Sequence, residues 1–344
     1  MIKVGIPRAL YFYQYYPAWK TFFEKLGAEA VVSPPTNKVI LDSGNLRAVA
    51  ETCLPVKVFF GHVISLVDKC DYMFIPAIRS LGRKAYHCSK FLGLPDMTKA
   101  VVPECPPILD PEIDLNEGRR NLQKVIYSLG RHFTSDKGEI KKAAEEARKA
   151  NLAYRSKMSD EKITPVQAID GAHRDKEELD FDPDITPTLS LAVIGHPYVI
   201  YDDYINHRLI SRLEAMGARV FTQEMAPQEA LEIAMARLIG KPHWSFEVDV
   251  IGAGEYYLEA KVDGMISVAV FGCGPDSMMI DVVRHRAREF KAPFLHLSLD
   301  EHTSEGGLVT RLEAFLDMVK RKKKECPLIT SPYLSGDGRE RICV

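Results

Sequence analysis

The chain has no Cys-x-x-Cys pair. Its seven cysteines are scattered from Cys53 to Cys343, which argues against a zinc ribbon. It has no GxxxxGK[ST] loop and no GxGxxG opening a helix, so neither ATP nor a dinucleotide has a motif to bind. No apolar run approaches the roughly 20 residues of a membrane span. Charge of either sign is scarcely in excess: 45 Lys and Arg against 47 Asp and Glu leave a net −2. That balance gives no electrostatic footprint for nucleic acid or an anionic membrane. An odd cysteine count, without the density of a small disulfide scaffold, suits a reduced, cytoplasmic protein. Residues 1–7 turn polar too soon for a signal peptide and read as a first β-strand. The basic residues 320–324 read as the solvated end of a helix, where cations meet the negative end of the dipole.

What is present is a repeat. The length, 344 residues, allows two domains that each bury a core. Residues 2–34 and 191–224 share one layout. Ile2-Lys3-Val4-Gly5-Ile6-Pro7 and Leu191-Ala192-Val193-Ile194-Gly195-His196-Pro197 are short apolar strands running into a Gly-x-Pro turn. Each is followed by tyrosines, a helical stretch closed by Gly27 or Gly217, and a second apolar strand. That is a βαβ opening, twice. Residues 67–76 and 260–269 repeat a further step: a helix end carrying Lys and Asp, then an apolar strand leading to a cysteine-bearing loop.

The alternation predicts an α/β fold of two similar Rossmann-like or flavodoxin-like parallel-sheet domains with a helical connecting segment. We assign 1–110 to a first domain holding Cys53 and Cys88. Residues 111–188 form a helical insert and linker. The second domain, 189–344, holds Cys273, a C-terminal helix and a tail. Helical spacing of Leu122, Val125, Ile126, Leu129 and Phe133 and the Ala/Glu/Lys/Arg-rich residues 139–155 define the insert. Thr164-Pro165, Gly171, Phe181-Asp182-Pro183 and Thr186-Pro187 mark the linker. Ligands of open parallel sheets collect beyond the carboxyl ends of strands, which directs attention to where the two units meet.

Three cysteines sit where a strand or turn meets Gly or Pro. Cys53 precedes Leu54-Pro55 and a run of helical spacing. Cys88 follows Tyr86-His87, and Cys273 lies between Gly272 and Gly274 ahead of Pro275. A helix N-terminus favours the thiolate, the form that ligates metal. Three such ligands are compatible with an iron–sulfur cluster that keeps one iron open. A small buried thiol is the other reading of Cys53, and the contexts alone leave ligation open for all three. Cys70, at a helix end, reads as structural; Cys105, in a proline-rich loop, is a candidate fourth ligand; Cys326 and Cys343 read as tail thiols. His62, His196 and His302 read first as hydrogen-bonding residues, with His196 and His302 gaining interest from their places at strand ends. Arg311 and Glu313 read as an ion pair or a helix-docking contact.

Several motifs in fixed order carry a resemblance. They are Thr52-Cys53-Leu54-Pro55-Val56-Lys57 before Gly61-His62, and Tyr86-His87-Cys88 before Lys90-Phe91-Leu92-Gly93-Leu94-Pro95. Gly195-His196-Pro197-Tyr198, Phe271-Gly272-Cys273-Gly274-Pro275-Asp276, and Asp300-Glu301-His302-Thr303 before Thr310-Arg311-Leu312-Glu313-Ala314-Phe315 follow. Together they resemble the 2-hydroxyacyl-CoA dehydratase superfamily, and within it the branch described as acyl-CoA dehydratase activase-related. Ser89 stands where that branch has proline, and these 344 residues are expected to act without an activase module of their own.

The resemblance implies a [4Fe–4S] cluster on Cys53, Cys88 and Cys273 with one iron open. It also implies low-potential electrons from a separate ATP-dependent, actin-like activator. On this reading Gly272 and Gly274 shield the cluster and donate to its sulfides, and His196 and His302 are candidates for proton donation. An acyl-CoA or another small molecule is the implied substrate, and a homo- or heterodimer the implied assembly. The alternatives are a double-cubane [8Fe–9S] reductase recruiting Cys70 or Cys105, a non-catalytic cluster carrier or sensor, and a Cys₃His zinc site using His62, His87 or His196.

Overall fold

Residues 1–82, 84–171 and 187–325 are described by the computed structural model. Cys326, Cys343 and the Phe181-Asp182-Pro183 and Thr186 part of the expected linker lie outside the described residues. The chain forms two units: Met1–Asp160 with Pro242–Ser245, and the described residues of Glu161–Lys241 and of Phe246 onward.

In the first unit the elements run β1 (Lys3–Ile6), α1 (Phe12–Lys25), β2 (Glu29–Val32), α2 (Lys38–Arg47), α3 (Leu54–Ile64), β3 (Tyr72–Phe74), β4 (Ala77–Gly82) and β5 (Ala85–Tyr86). They continue with α4 (Ser89–Leu92), α5 (Leu94–Val101), β6 (Ile108–Leu109), β7 (Glu112–Asp114), α6 (Arg119–Gly130) and α7 (Lys137–Glu161). Four strands pair in parallel in the order β2-β1-β3-β6. A smaller sheet, β5-β4-β7, joins an antiparallel pair to a parallel one. Val4, Ile6, Phe12, Phe23, Met73 and Ile75 fill the interior.

Helices α2 and α3 meet almost backbone to backbone. A Cβ on Gly44 would stand 1.9 Å from the Lys57 carbonyl oxygen, and one on Gly61 would stand 1.9 Å from that of Ile40. Only glycine permits this approach, and it fixes the helix that Cys53 begins. Helices α6 and α7 match the helical periodicity of the sequence. The turn after α6 brings Phe133 against Phe23 and Tyr72, and the Tyr154 hydroxyl on α7 donates to the Tyr13 carbonyl at 2.6 Å.

The second unit follows with α8 (Pro165–Asp170), β8 (Leu189–Gly195), α9 (Pro197–Ile200), α10 (Leu209–Ala215), β9 (Ala218–Phe221) and α11 (Gln228–Ile239). After these come α12 (Ala253–Glu259), β10 (Gly264–Val270), α13 (Gly274–Glu289), β11 (Phe294–Leu299) and α14 (Glu305–Glu325). Its sheet is wholly parallel, in the order β9-β8-β10-β11. This repeats the first sheet strand for strand: β1 corresponds to β8, β2 to β9, β3 to β10 and β6 to β11. Both units are therefore parallel-sheet α/β folds of flavodoxin-like order.

The central strands β8 and β10 are buried on both faces, which is why they read as continuous apolar runs rather than alternating ones. Helix α14 covers this sheet with Leu308, Leu312, Phe315, Leu316 and Val319, one face at helical spacing. Its basic end is partly docked: Lys323 Nζ lies 2.8 Å from the buried Asp263 carboxylate. Arg311 makes a docking contact, donating to the His296 carbonyl at 2.6 Å. No helix among the described residues is long and apolar enough to cross a membrane.

Candidate functional site

Cys53, Cys88 and Cys273 occupy one kind of position. Each is the N-cap residue of a helix: Cys53 of α3, Cys88 of α4 and Cys273 of α13. All three thiols are half-buried, and none is in a disulfide. Pro55 and Pro275 fall in the first turns of their helices, where the missing N–H costs nothing and the fixed φ favours the helix. The Cys53 carbonyl accepts from the Val56 and Lys57 amides at 3.0 and 3.2 Å, which seats the residue at the start of a helix buried along nearly its whole length. Cys88 follows β5, whose Tyr86 amide donates to the His243 carbonyl at 2.8 Å.

The other two described cysteines are different. Cys70 packs beneath β1, where a Cβ on Gly5 would meet its Sγ at 2.5 Å, and burial pushes its thiol above the ordinary range. Burial, with Cys70 and Glu104 nearby, pushes Cys105 up to about 12. Burial thus makes the thiolate, the form that ligates metal, harder to reach at both.

Of the histidines, His62 is fully buried with both ring nitrogens engaged: Nδ1 lies 2.9 Å from Ser33 Oγ and Nε2 2.9 Å from Thr36 Oγ1. Burial first, and then the Arg8 charge, lowers its pKa to about 3, so it is a neutral structural residue with no nitrogen left for a metal. His87, also buried, meets the Tyr11 hydroxyl and packs edge-on against that ring. His302 is exposed in the turn after β11, its amide donating to Asp300 Oδ1 at 3.0 Å.

His196 is where the second unit concentrates its polar chemistry. Strand β8 ends at Gly195, and a Cβ there would stand 2.4 Å from the Val268 carbonyl oxygen of neighbouring β10. Glycine thus lets the two central strands close at their carboxyl ends, and His196 emerges as the N-cap of α9. Its ring is 4% exposed, stacked on Tyr198 with centroids 4.9 Å apart and edge-on to Phe246 at 4.5 Å. Nδ1 faces Asp276 Oδ1 at 2.9 Å. Asp276 is fully buried in the first turn of α13, with its other oxygen 3.4 Å from the Val270 amide. Ligand atoms of His196, Cys273 and Asp276 all lie within 4.8 Å of one another.

The topology explains the meeting. From β8 the chain crosses to β9 on one side, and from β10 it crosses to β11 on the other. The carboxyl ends of β8 and β10 therefore flank the switch point at which ligands of such sheets bind. Gly272, with φ +77°, turns the chain between β10 and α13; Gly274 has open space around it. Sequence reasoning singled out His196 and Cys273 but not Asp276. Its signal was an acidic residue three positions after a cysteine that opens a helix, which reads equally as a charge complementing the helix dipole.

The geometry has a counterpart in sequence. Residues 3–226, or 224 of the 344, match the CoA enzyme activase uncharacterised domain (DUF2229). The matched span holds Cys53, Cys88 and His196 and stops short of Cys273. No curated protein matches the chain. With well over half its length matched, the chain belongs to the CoA enzyme activase uncharacterised domain family.

Proposed function

We propose that Cys53, Cys88 and Cys273 hold a [4Fe–4S] cluster. The protein would then be the cluster-bearing, electron-accepting component of a CoA-dependent enzyme system of the 2-hydroxyacyl-CoA dehydratase type, charged by a separate ATP-dependent activator. One observation carries the reading: the three cysteines that the sequence marks out are three helix N-caps with half-buried thiols, while burial pushes the remaining described thiols further from the thiolate form. The donor chemistry suits the group, since thiolates are the ligands of such clusters. The family's association with CoA enzyme activation supplies the partner class.

When bound, such a cluster supplies one-electron chemistry and, with three protein thiolates, an iron that accepts a small ligand. The chain's own residues then have definite tasks. The first amides of α13 have no carbonyl partner within the helix and donate toward negative charge beside Cys273, an interaction that tunes potential. Gly272 and Gly274 keep the Cys273 loop free of side-chain bulk. His196 stands buried beside Cys273 and His302 stands in solvent; on this reading they are the candidates for proton donation to a bound acyl group or small molecule. Phe271 is 73% exposed and Met278 66% exposed. Both flank Cys273 in the sequence, and an electron-delivering partner would cover them. The double-cubane alternative is weaker because burial raises the pKa of its extra ligands, Cys70 and Cys105, and disfavours their thiolates.

The test is anaerobic purification followed by iron, sulfide and ATPase measurement. About four iron and four sulfide per chain are expected, with no ATP hydrolysis by the isolated protein. Visible absorption should bleach when an actin-like activator, ATP and a strong reductant are added. A colourless protein without sulfide overturns the cluster. A chain that hydrolyses ATP by itself is an activator rather than its target.

A further inference from the structure

The second unit presents a ligand set that does not need the first. We infer that His196, Cys273 and Asp276 form a mononuclear site for a borderline divalent transition ion, zinc(II) or iron(II), filled when the chain carries no cluster. Three independent observations meet here. Ligand atoms of all three residues lie within 4.8 Å of one another. Donors on one tetrahedral ion at bond lengths of about 2.0–2.3 Å stand roughly 3.3–3.5 Å apart, so one ion accommodates the set with small side-chain rotations.

Next, His196 and Asp276 are 4% and 0% exposed. Nδ1 of the one and Oδ1 of the other have no hydrogen-bond partner although they face each other at 2.9 Å. Buried polar atoms are nearly always partnered, and a bound cation gives both a partner at once. Finally, the three residues come from the ends of β8 and β10 at the switch point of a parallel sheet, the place such folds reserve for ligands. One imidazole, one thiolate and one carboxylate make a mixed donor set of the kind zinc and iron(II) accept, and too soft for magnesium or calcium. Three protein ligands leave a fourth position for water or a small molecule, as catalytic zinc sites do.

This site does not rest on the cluster reading, although the two centres compete for Cys273. In the iron–sulfur form Cys273 serves the cluster; in the apo form it serves the single ion.

Cobalt(II) is the probe. Full-length protein, stripped of metal with a chelator under anaerobic conditions, is titrated with cobalt(II), and zinc(II) is then used to displace it. One equivalent should bind, with a near-ultraviolet thiolate-to-cobalt band and visible bands of tetrahedral intensity. Cys273→Ser should abolish the near-ultraviolet band. His196→Gln and Asp276→Asn should each weaken binding at least tenfold, with circular dichroism and melting confirming that both fold. Cys53→Ser and Cys88→Ser should bind cobalt as the parent does, although either would lose a cluster. No thiolate band in the parent overturns the site, and so does a band insensitive to His196→Gln and Asp276→Asn or one lost with Cys53. Failure of the cluster reading shows instead as missing sulfide in the purified holoprotein.

Discussion

Gly195→Ala tests whether the close approach of β8 and β10 builds the His196 corner. The added Cβ would stand 2.4 Å from the Val268 carbonyl oxygen and 3.2 Å from Ile200 Cγ2. Real Cβ contacts essentially never fall below 3.0 Å, so the strands must part by about 0.6 Å, the difference between 3.0 and 2.4. The obstructing atom is a backbone carbonyl in a parallel pair and cannot rotate away. Overpacking of this kind costs about 1–3 kcal/mol, and the immobile partner sets the expectation at about 2–3. At roughly 2–4 °C per kcal/mol for a unit of this size, scanning calorimetry should show the second unit melting about 4–12 °C lower. Cobalt affinity should fall with it, because His196 follows the displaced residue directly. Gly274→Ala is the control: nothing lies within 4 Å of its Cβ position, so stability should move by no more than about 0.5 kcal/mol. Equal melting of Gly195→Ala and the parent would refute the reasoning.

Other expectations follow from the buried groups. Folded His62 titrates near 3 against an ordinary value of 6.5, so the unfolded chain takes up the proton first as pH falls. Its contribution is complete above pH 6.5, falls by about 2 kcal/mol on reaching pH 5, and is lost progressively down to about pH 3; melting of His62→Gln should therefore depend less on pH between 7 and 5. A parallel acid response in the variant would contradict this. Cys105, pushed up to about 12, should alkylate with iodoacetamide at pH 8 on the order of 10³-fold more slowly than an ordinary thiol, as read by peptide mass spectrometry; labelling at the rate of a model thiol contradicts its burial. Gly61→Ala would drive a Cβ to 1.9 Å from the Ile40 carbonyl oxygen, and should cost about 3 kcal/mol or more in a denaturant melt.

The two parallel-sheet α/β units were legible because their strands are short apolar runs set at matched points of a repeat, whereas the order of the strands within each sheet was not. Gly27 and Gly217, both with positive φ, closed the helical stretches in both copies. Continuous burial of β8 and β10 left no alternation to mislead the reading. The helix starts after Cys53 and Cys273 were legible for a local reason, a proline in the first turn of each. What stayed hidden is non-local. The small β5-β4-β7 sheet uses strands as short as two residues, below any periodicity. The 2.9 Å approach of His196 to Asp276 spans 80 positions and exists only because β8 and β10 are neighbours. The engagement of His62 by Ser33 and Thr36 likewise depends on tertiary packing rather than local pattern.

The central claim is that three thiols hold one cluster. Iron and acid-labile sulfide, measured per chain on anaerobically purified Cys53→Ala, Cys88→Ala, Cys273→Ala and Cys105→Ala proteins, test it most directly. The account predicts that each of the first three loses most of its iron and sulfide while Cys105→Ala keeps both at the parental level. Full iron and sulfide in all three of the first set, or a loss confined to Cys105→Ala, would contradict it.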